Sequence, residues 1–406
     1  MHRAGAAALS HLLNVDAPEQ RSLPCSCGHT AEYKELRSKP LLTVVGRVSY
    51  QRPYYVCSHC HHAPNPADAA LGVEHEEFSP GVRRMMAVVG SETAFDTGRE
   101  QLERLAGLRV STSSVKRQAE AIGAELVGLE QAEIQRSVQL QLPIPLGPPI
   151  PALYVEIDGT GVPVVKQEAA GRKGKQPGLP PHTREVKLGC VFTSSGVDPK
   201  GRPIRDVDST TYTGAIENAE EFARRIYREA FQRGWARARI KVILGDGAIW
   251  IWNIAADQFP GAILIVDFYH ASEHLHTLSR WLFPTDEKAR RCWVRVAMYL
   301  LDSGEIESLV TMIRCLFPHH PDLAEKLETE AQYFERNADK MRYPKFRAMG
   351  LFVGSGVIEA GCKTVIGSRL KQSGMFWTVE GANRIIALRC CRISGKFEDF
   401  WEARAA

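Results

Sequence analysis

The hydrophobic and polar positions along the chain form two alternating kinds of segment. Short apolar runs rich in β-branched residues predict buried strands, at 153–157, 187–193, 240–244 and 262–266. Segments whose apolar residues recur at helical spacing predict amphipathic helices, at 78–127, 215–233, 248–257 and most of 271–345. We expect residues 162–165 to form one more strand, paired with 153–157 through a Gly-Thr-Gly turn. Hairpin strands followed by helix, strand, helix and strand predict an α/β fold with a mixed sheet.

Paired cysteines mark the N-terminal part of the chain. Of the ten cysteines, four form the pairs Cys25/Cys27 and Cys57/Cys60, separated by strand-like segments at 41–48 and 54–56. This layout is typical of a zinc ribbon, and a metal would complete the folding of so small a module. The first pair is CxC rather than CxxC, so His29 competes with its two cysteines for two ligand places. We predict that the four cysteines bind a structural Zn²⁺; four free cysteines in a hairpin are the alternative.

A second N-terminal feature is a helix-turn-helix pattern. The amphipathic segment 100–108 includes Gly107, where the first helix is expected to end, and Ser111 or Thr112 is expected to N-cap a second helix. In DNA-binding versions of this motif, the start of the second helix enters the major groove. We therefore predict DNA contacts from Lys116 and Arg117, with an ordinary helix-packing corner as the alternative.

Changes in the pattern predict the organisation of the chain. The order of strands and helices favours a ribonuclease H-like core with a helical insertion, preceded by the zinc ribbon and a small helical domain. The predicted segments are an N-terminal helix or tail (1–20), the zinc ribbon (21–70), a helix-turn-helix-like domain (71–137), a linker with five prolines (138–151), the first part of the core (152–274), the helical insertion (275–350) and the C-terminal helices of the core (351–406).

Three acidic residues stand out by their settings. Asp158 and Asp246 each follow a predicted strand and precede a glycine, and Glu359 lies early in a basic amphipathic helix. Carboxylates are the ligands that Mg²⁺ prefers, and two such ions can activate a nucleophile and neutralise a leaving oxygen in phosphodiester chemistry. Each acid also has a plainer explanation, because Asp-Gly pairs are common in turns and Glu359 can pair with Lys363 on a helix face.

Composition limits the classes of partner. The net charge of +4 and pI of about 8.5 are mildly basic, so a nucleic-acid surface has to be local. The helices around Glu359 supply such a surface, and we predict DNA contacts from Lys363, Arg369 and Lys371. A solvated helix face is the alternative for these cations. No stretch of the sequence predicts a membrane span, and the remaining scattered cysteines suit a reduced, cytoplasmic protein.

Four segments together resemble the DDE transposases of bacterial insertion sequences of the ISKra family, distant relatives of mutator-like transposases. The segments are 158–161, 245–253, 267–275 and 359–363, and the resemblance covers about residues 20–395. It implies that Asp158, Asp246 and Glu359 bind two Mg²⁺ or Mn²⁺ ions. It also implies that Asp267 and His270 form a motif beside the site, in which His270 orients DNA or the scissile phosphate. A core role is the alternative for His270, and helix packing is expected for His274 and His276.

The same resemblance implies a function. A transposase binds the terminal inverted repeats of its element, hydrolyses a phosphodiester at each end and transfers the 3′-hydroxyl to target DNA. It implies a homo-oligomer in the synaptic complex and a location at the bacterial nucleoid. An N-terminal stretch of longer family members is expected to be missing. Two alternatives are an inactive zinc-ribbon DNA-binding protein derived from a transposase and a structure-specific nuclease on the same fold.

Overall fold

The computed structural model describes residues 2–14, 16–171 and 182–405. Contacts divide the chain into two units, Met1–Ile122 and Gly123–Ala406. This division lies inside the long helix Thr112–Val138 and not in the segment 138–151 that was predicted as a linker. No helix in the described ranges combines the length and the apolar character that crossing a bilayer requires.

The first unit combines a small antiparallel sheet with helices. Its elements are α1 (His2–Leu13), β1 (Ser22–Pro24), β2 (Thr30–Thr43), β3 (Gly46–Cys57), α2 (Pro66–Ala70), α3 (Pro80–Glu92), α4 (Phe95–Ala106) and the first part of α5 (Thr112–Val138). The strand order is β1-β2-β3. The prediction of one strand over 41–48 was wrong, because the chain reverses between Thr43 and Gly46. Gly46 has a φ of +107°, which favours glycine, and this allows the tight hairpin.

Three helices of the first unit share an apolar core that includes Val82, Leu102 and Val115. Helix α4 is followed by Gly107 in the left-handed conformation, with a φ of 63°. The side chain of Ser111 accepts a hydrogen bond from the backbone N–H of Ser114 at 3.0 Å, so Ser111 is the N-cap of α5.

The second unit contains a mixed sheet and the remaining helices. The elements of the sheet region are β4 (Ile150–Pro163), α6 (Lys166–Ala169), β5 (Thr183–Ser194), β6 (Gly196–Val197), β7 (Pro203–Ile204), β8 (Thr211–Ala215), α7 (Ala219–Gln232), β9 (Ala238–Gly245), α8 (Ile249–Gln258) and β10 (Ile263–Val266). The helices that follow are α9 (Phe268–Leu282), α10 (Glu287–Asp302), α11 (Ile306–Arg314), α12 (Ala324–Asn337), α13 (Tyr343–Ala348), α14 (Gly356–Gly361), α15 (Ser368–Leu370), α16 (Val379–Ile393) and α17 (Phe397–Ala405). A π-helical segment, Cys362–Gly367, joins α14 to α15.

The described part of the second unit has one five-stranded sheet, in the order β10-β9-β4-β5-β8. Strands β4, β9 and β10 are parallel, whereas β5 is antiparallel to both β4 and β8. The expectation of an α/β fold with a mixed sheet is therefore confirmed. Parallel neighbours bring their carboxyl ends to one edge of the sheet, which places the residue after Ile157, the last residue of β4 paired in parallel, together with the residues that follow β9 and β10.

Two details of the predicted sheet were wrong. Strand β4 continues through Gly159 and Gly161 to Pro163, so Asp158 lies within a strand and not before a turn. We expected 162–165 to be one of three antiparallel hairpin strands. The three strands are instead β4, β5 and β8, and β8 was not predicted. Glycines inside a strand often mark a close approach rather than a turn. At Gly159, a side-chain carbon would lie 2.8 Å from Glu185 Oε1.

The alternation of side chains gives β4 two different faces. Leu153, Val155 and Ile157 pack with α7 and α8 in the main apolar core, which also contains Phe222 and Ile251. The alternate residues of β4 point to the opposite face. Glu156 and Asp158 are on this second face, where α14 packs against β4 and β5.

Candidate functional site

Asp158 and Asp246 lie side by side at the carboxyl edge of the parallel strands. Ile157 is paired in parallel register with Gly245, so the next residue of each strand is an aspartate. Each carboxylate accepts a hydrogen bond from nearby backbone, from the N–H of Gly159 at 2.7 Å and from the N–H of Ala248 at 2.9 Å. Burial raises the pKa of Asp158, and the charge of Asp246 raises it further. Two half-buried acids that repel each other in this way form a suitable site for a cation.

Asp267 is the third acid at this edge, and it is fully buried. Its backbone N–H donates to the carbonyl of Gly245 at 2.8 Å, next to Asp246. One carboxylate oxygen accepts from the N–H of His270 at 2.7 Å and caps α9, and the other accepts from the N–H of Ser355. Because Ser355 is the N-cap residue of α14, Asp267 connects the helix that carries His270 to the helix that carries Glu359.

Glu156 anchors the helix that carries Glu359. Its Oε2 atom accepts a hydrogen bond from the N–H of Ile358 at 2.9 Å, one of the first N–H groups of α14, which have no partner within the helix. Glu156 has no solvent exposure, and burial raises its pKa to about 8. The anchor fixes the start of α14 against β4, two residues before Asp158.

Glu359 itself is exposed and lies near Lys363, with 3.9 Å between the carboxylate and the Nζ atom. The three predicted ligands therefore belong to one region but do not converge. Within the described ranges, the only group of three or more His, Cys, Asp or Glu residues whose ligand atoms all lie within 4.8 Å of one another is a cysteine cluster. Binding of a divalent cation by Asp158, Asp246 and Glu359 requires their side chains to close around it.

A chain of hydrogen-bonded side chains leads from α12 to this edge. Glu330 Oε2 lies 2.6 Å from His274 Nδ1, and His274 Nε2 lies 3.3 Å from His270 Nε2. His270 is close enough to Asp158 that its charge lowers the pKa of that carboxyl. The ring of His274 also stacks on Tyr333 at 4.0 Å. His274 was expected to be only a packing or surface residue, whereas it links Glu330 to His270.

Helix α12 also holds the loop that carries Asp246. The hydroxyl of Tyr333 donates to the carbonyl of Asp246 at 2.9 Å, and the indole of Trp252 donates to Asn337 Oδ1 at 2.9 Å. Gly247 has a φ of +96°, and a side-chain carbon there would lie 2.6 Å from the Tyr333 ring. This glycine therefore serves both the turn and the close approach of α12.

The basic residues predicted around Glu359 have different environments. Lys363 and Lys371 are exposed, and Lys371 Nζ donates to Thr160 Oγ1 on β4. Arg369 is fully buried, with its guanidinium 5.0 Å from the centre of the Trp377 ring. The expectation of an exposed Arg369 on the basic helix does not match the structure, since the π-helical segment changes the rotation of the helix before it. Cys362, the first residue of that segment, lies 3.3 Å from Asp158 Oδ2.

The cysteine cluster is in the first unit. Cys25 Sγ is 3.4 Å from Cys60 Sγ, and Cys27 Sγ is 3.7 Å from Cys57 Sγ. Hydrogen bonds from the backbone N–H groups of Cys60 and His59 lower the pKa of Cys57 to about 6. Four converging sulfurs, one of them readily ionised, fit a tetrahedral metal site of the kind that zinc occupies.

The predicted DNA-contacting residues of the helix-turn-helix are on the surface of α5. Lys116 lies 3.9 Å from Glu120, and Arg117 lies 2.9 Å from Glu77. Both cations are exposed, so these pairs are weak and exchangeable.

The sequence did not predict roles for Glu156, Glu330 and Tyr333, and it predicted only helix packing for His274. Only one signal was available, an acidic residue inside the otherwise apolar strand run that contains Glu156. The partners of the other three residues depend on tertiary contacts, because 56 residues separate His274 from Glu330 and 87 residues separate Asp246 from Tyr333.

Comparisons with known proteins give one relative and one solved structure of interest. A protein of Streptococcus gallolyticus described as "UPF0236 protein in vanSb 3'region" is 23% identical over 379 residues, which are 91% of this chain and 76% of the relative. The structure described as "Drosophila P element transposase strand transfer complex" covers 79% of this chain and 80% of its own, with 10% identity and a TM-score of 0.26. A TM-score this low does not show a common fold.

A family model described as "Uncharacterised protein family (UPF0236)" matches residues 29–399, which is most of the chain. The Streptococcus relative carries the same family name. This chain therefore belongs to the uncharacterised protein family UPF0236.

Proposed function

We propose that this protein is a DDE-type DNA transposase with a ribonuclease H-like catalytic core. The observation that carries the proposal is the parallel register Ile157↔Gly245, which makes Asp158 and Asp246 neighbours at the carboxyl edge of the sheet. Numbered from β4, the strand order of the sheet is 3-2-1-4-5, the order of ribonuclease H-like folds. The resemblance of the segments around Asp158, Asp246 and Glu359 to ISKra-family transposases adds the reaction class.

Asp158 and Asp246 would hold divalent metal, with Glu359 closing the site from α14. Mg²⁺ or Mn²⁺ supplies the neutralisation of charge that phosphodiester hydrolysis and strand transfer need. The protein's own residues position these ligands: Glu156 and Asp267 anchor α14, and Tyr333 holds the Asp246 loop. His270, which contacts His274 and through it Glu330, would orient DNA or a scissile phosphate beside Asp158.

The cysteine cluster would hold a structural Zn²⁺ through Cys25, Cys27, Cys57 and Cys60. The predicted DNA contacts of Lys116, Arg117, Lys363 and Lys371 belong to exposed side chains. The substrates would be the ends of the element and the target DNA, brought together by a homo-oligomer.

A cleavage and strand-transfer assay tests the proposal. The substrates are labelled duplexes from the DNA that flanks the coding sequence, with a supercoiled plasmid as target. The wild-type protein is expected to cut and join in Mg²⁺ or Mn²⁺. Asp158→Asn, Asp246→Asn and Glu359→Gln are each expected to abolish both steps while duplex binding persists, because each removes a metal ligand.

Asp257→Asn, an exposed aspartate on α8, is the matched control and keeps full activity. Full cleavage by any of the three variants would exclude the substituted residue as an essential metal ligand and contradict the assignment of Asp158, Asp246 and Glu359. Cleavage without joining would identify a nuclease instead, and DNA binding without cleavage by the wild type would identify a DNA-binding protein.

A further inference from the structure

A basic groove lies between α9 and α10, and among its lining residues the sequence had singled out only His276, for helix packing. It has a volume of about 650 Å³. Four arginines and one histidine line it, Arg280, Arg290, Arg291, Arg295 and His276. The net charge of the whole chain is only +4, so this groove concentrates as much positive charge as the entire protein carries in excess.

These arginines have few counter-charges. Arg291 lies 3.5 Å from Glu287, an exposed pair. Arg280 donates to Thr277 Oγ1 and Arg295 contacts Cys292 Sγ, both neutral partners. Within the part of the chain that the structure describes, Arg280, Arg290 and Arg295 have no carboxylate at salt-bridge distance. The nearby Asp286 accepts from the N–H of Ala289 and caps α10, so its carboxylate is already used.

The spacing of the arginines produces electrostatic repulsion in the protein without DNA. Arg291 and Arg295 are four residues apart on α10, an arrangement in which like charges repel along a helix face. A polyanion in the groove would remove this repulsion. Guanidinium groups bind phosphate oxygens in a bidentate geometry that suits them to nucleic-acid backbones.

The groove is also within reach of the carboxylate edge. Arg280 is ten residues beyond His270 on α9, a distance of about 15 Å at the rise of an α-helix. This distance corresponds to between about four and five base pairs at ~3.4 Å each.

We propose that this groove binds the phosphate backbone of a DNA duplex whose scissile phosphate lies at Asp158 and Asp246. The inference depends on the proposed function, since it assigns the insertion a second contact with the same substrate. The contact would be insensitive to base sequence, because charge and shape are what the groove offers.

The test is the salt dependence of binding to a short labelled duplex of arbitrary sequence. A variant with Arg280→Ala, Arg290→Ala, Arg291→Ala and Arg295→Ala is expected to lower the slope of log K against log salt by ~0.9 for each phosphate that the groove no longer neutralises. A matching variant with lysine at the same four positions keeps the charge and is expected to keep most of the slope. The control removes four exposed arginines elsewhere, Arg202, Arg224, Arg239 and Arg336. It has the same net charge as the alanine variant, and its slope should stay close to the wild type.

Four results would overturn the inference. If the slope is unchanged in the alanine variant while the wild-type protein binds and cleaves DNA, the groove does not bind the DNA backbone. The proposed function would be unaffected by this result. An equal loss in the lysine variant shows that the folding of the insertion, and not its charge, is responsible. Displacement of the duplex by inorganic phosphate at constant ionic strength would identify a small-anion pocket. If the wild-type protein shows no salt-dependent binding of DNA at all, the groove and the proposed function fail together.

Discussion

The two candidate metal sites of this protein differ in how closely their ligand atoms already lie together. In the first unit, four sulfur atoms already lie within 4.8 Å of one another. At the edge of the five-stranded sheet, the carboxylates of Asp158 and Asp246 accept hydrogen bonds from the backbone N–H groups of Gly159 and Ala248, and Glu359 lies beside Lys363. The difference matches two uses of metal, one that completes a fold and one that is recruited with a substrate.

The surrounding cores explain the difference. The buried residues around the cysteines are few, Cys25, Ala31, Tyr55 and Cys57. The apolar core beneath the sheet contains buried residues from three strands, β4, β5 and β9, and from helices α7 and α8. A small core depends on its metal, whereas a large one stays folded when its site is empty.

The largest expected effect is loss of structure around the cysteines. Cys57→Ala, or removal of zinc by a chelator, should open the β2–β3 hairpin near Cys57, because a structural zinc site contributes about 10–16 kcal/mol in small modules. Limited proteolysis should then cut within 21–66 while the second unit stays intact. Cys315→Ala, at an exposed cysteine, is the control. If the metal-free protein resists proteolysis as well as the metal-bound protein, the cysteine site does not need metal to stay folded, and the two sites do not differ in this respect.

The second unit should be stabilised by a buried ion pair. Glu229 lies 2.8 Å from Lys396 and 3.4 Å from Arg228, and these cations hold its pKa at about 2 despite burial. Because the pKa in the folded state is below that in the unfolded state, the stabilisation is complete above pH 4.5 and is lost as the pH falls towards 2. Its size is roughly 3 kcal/mol.

Denaturant unfolding at several pH values measures this stabilisation. Glu229→Gln should be less stable than the wild type at pH 7, and the difference should shrink towards zero near pH 2. The control is Glu220→Gln, an exposed partner of Arg224. A difference that stays constant with pH would show that the ion pair does not contribute in this way.

The sheet-edge site should reveal itself by binding rather than by folding. Mg²⁺ or Mn²⁺ at 100 times its dissociation constant should add about 2.7 kcal/mol to the free energy of unfolding of the wild type. Asp158→Asn should remove this gain, and without metal it should be at least as stable as the wild type, because it relieves the repulsion from Asp246. Thermal unfolding with and without the ion measures both effects, with Asp257→Asn as the control. A metal-dependent shift of normal size in Asp158→Asn would exclude this aspartate as a ligand.

The smallest expected effect concerns the anchor of α14. Glu156→Leu leaves the N–H of Ile358 buried without an acceptor, which should cost ~1–3 kcal/mol and loosen Glu359. Glu156→Gln keeps a carbonyl oxygen in the same place and should preserve both stability and cleavage. Unfolding and cleavage rates measured on the two variants separate the anchor from simple burial. Equal behaviour of leucine and glutamine would show that the hydrogen bond does not matter.

The sequence was sufficient to predict features that depend on short, local patterns of residues. Apolar runs located β4, β5, β9 and β10, and the cysteine spacing located the four sulfurs that converge. Asp158 was misplaced at a turn, because Asp-Gly is ambiguous between a turn and a strand approached closely by a neighbour. Strand β8 was missed because Thr211–Ala215 is short and polar, and its position depends on pairing with β5.

The contacts around the candidate site could not be predicted because they join residues far apart in the sequence. Glu156 and Ile358 are 202 residues apart, and no local pattern connects them. The same holds for the contact of Glu330 with His274. Burial of Arg369 depends on the π-helical segment before it, whose wider turn shifts which side of the helix faces the core.

The hydrogen bonds of α12 decide how far the chain can be shortened. Tyr333 and Asn337 belong to the insertion, yet they hold the Asp246 carbonyl and the Trp252 indole. A chain in which 275–350 is replaced by a short loop would retain Asp158, Asp246 and Glu359, but the Asp246 carbonyl would lose the hydrogen bond from Tyr333 and the Trp252 indole would lose its acceptor. Under the proposed function, the smallest working catalytic unit would therefore include residues 275–350.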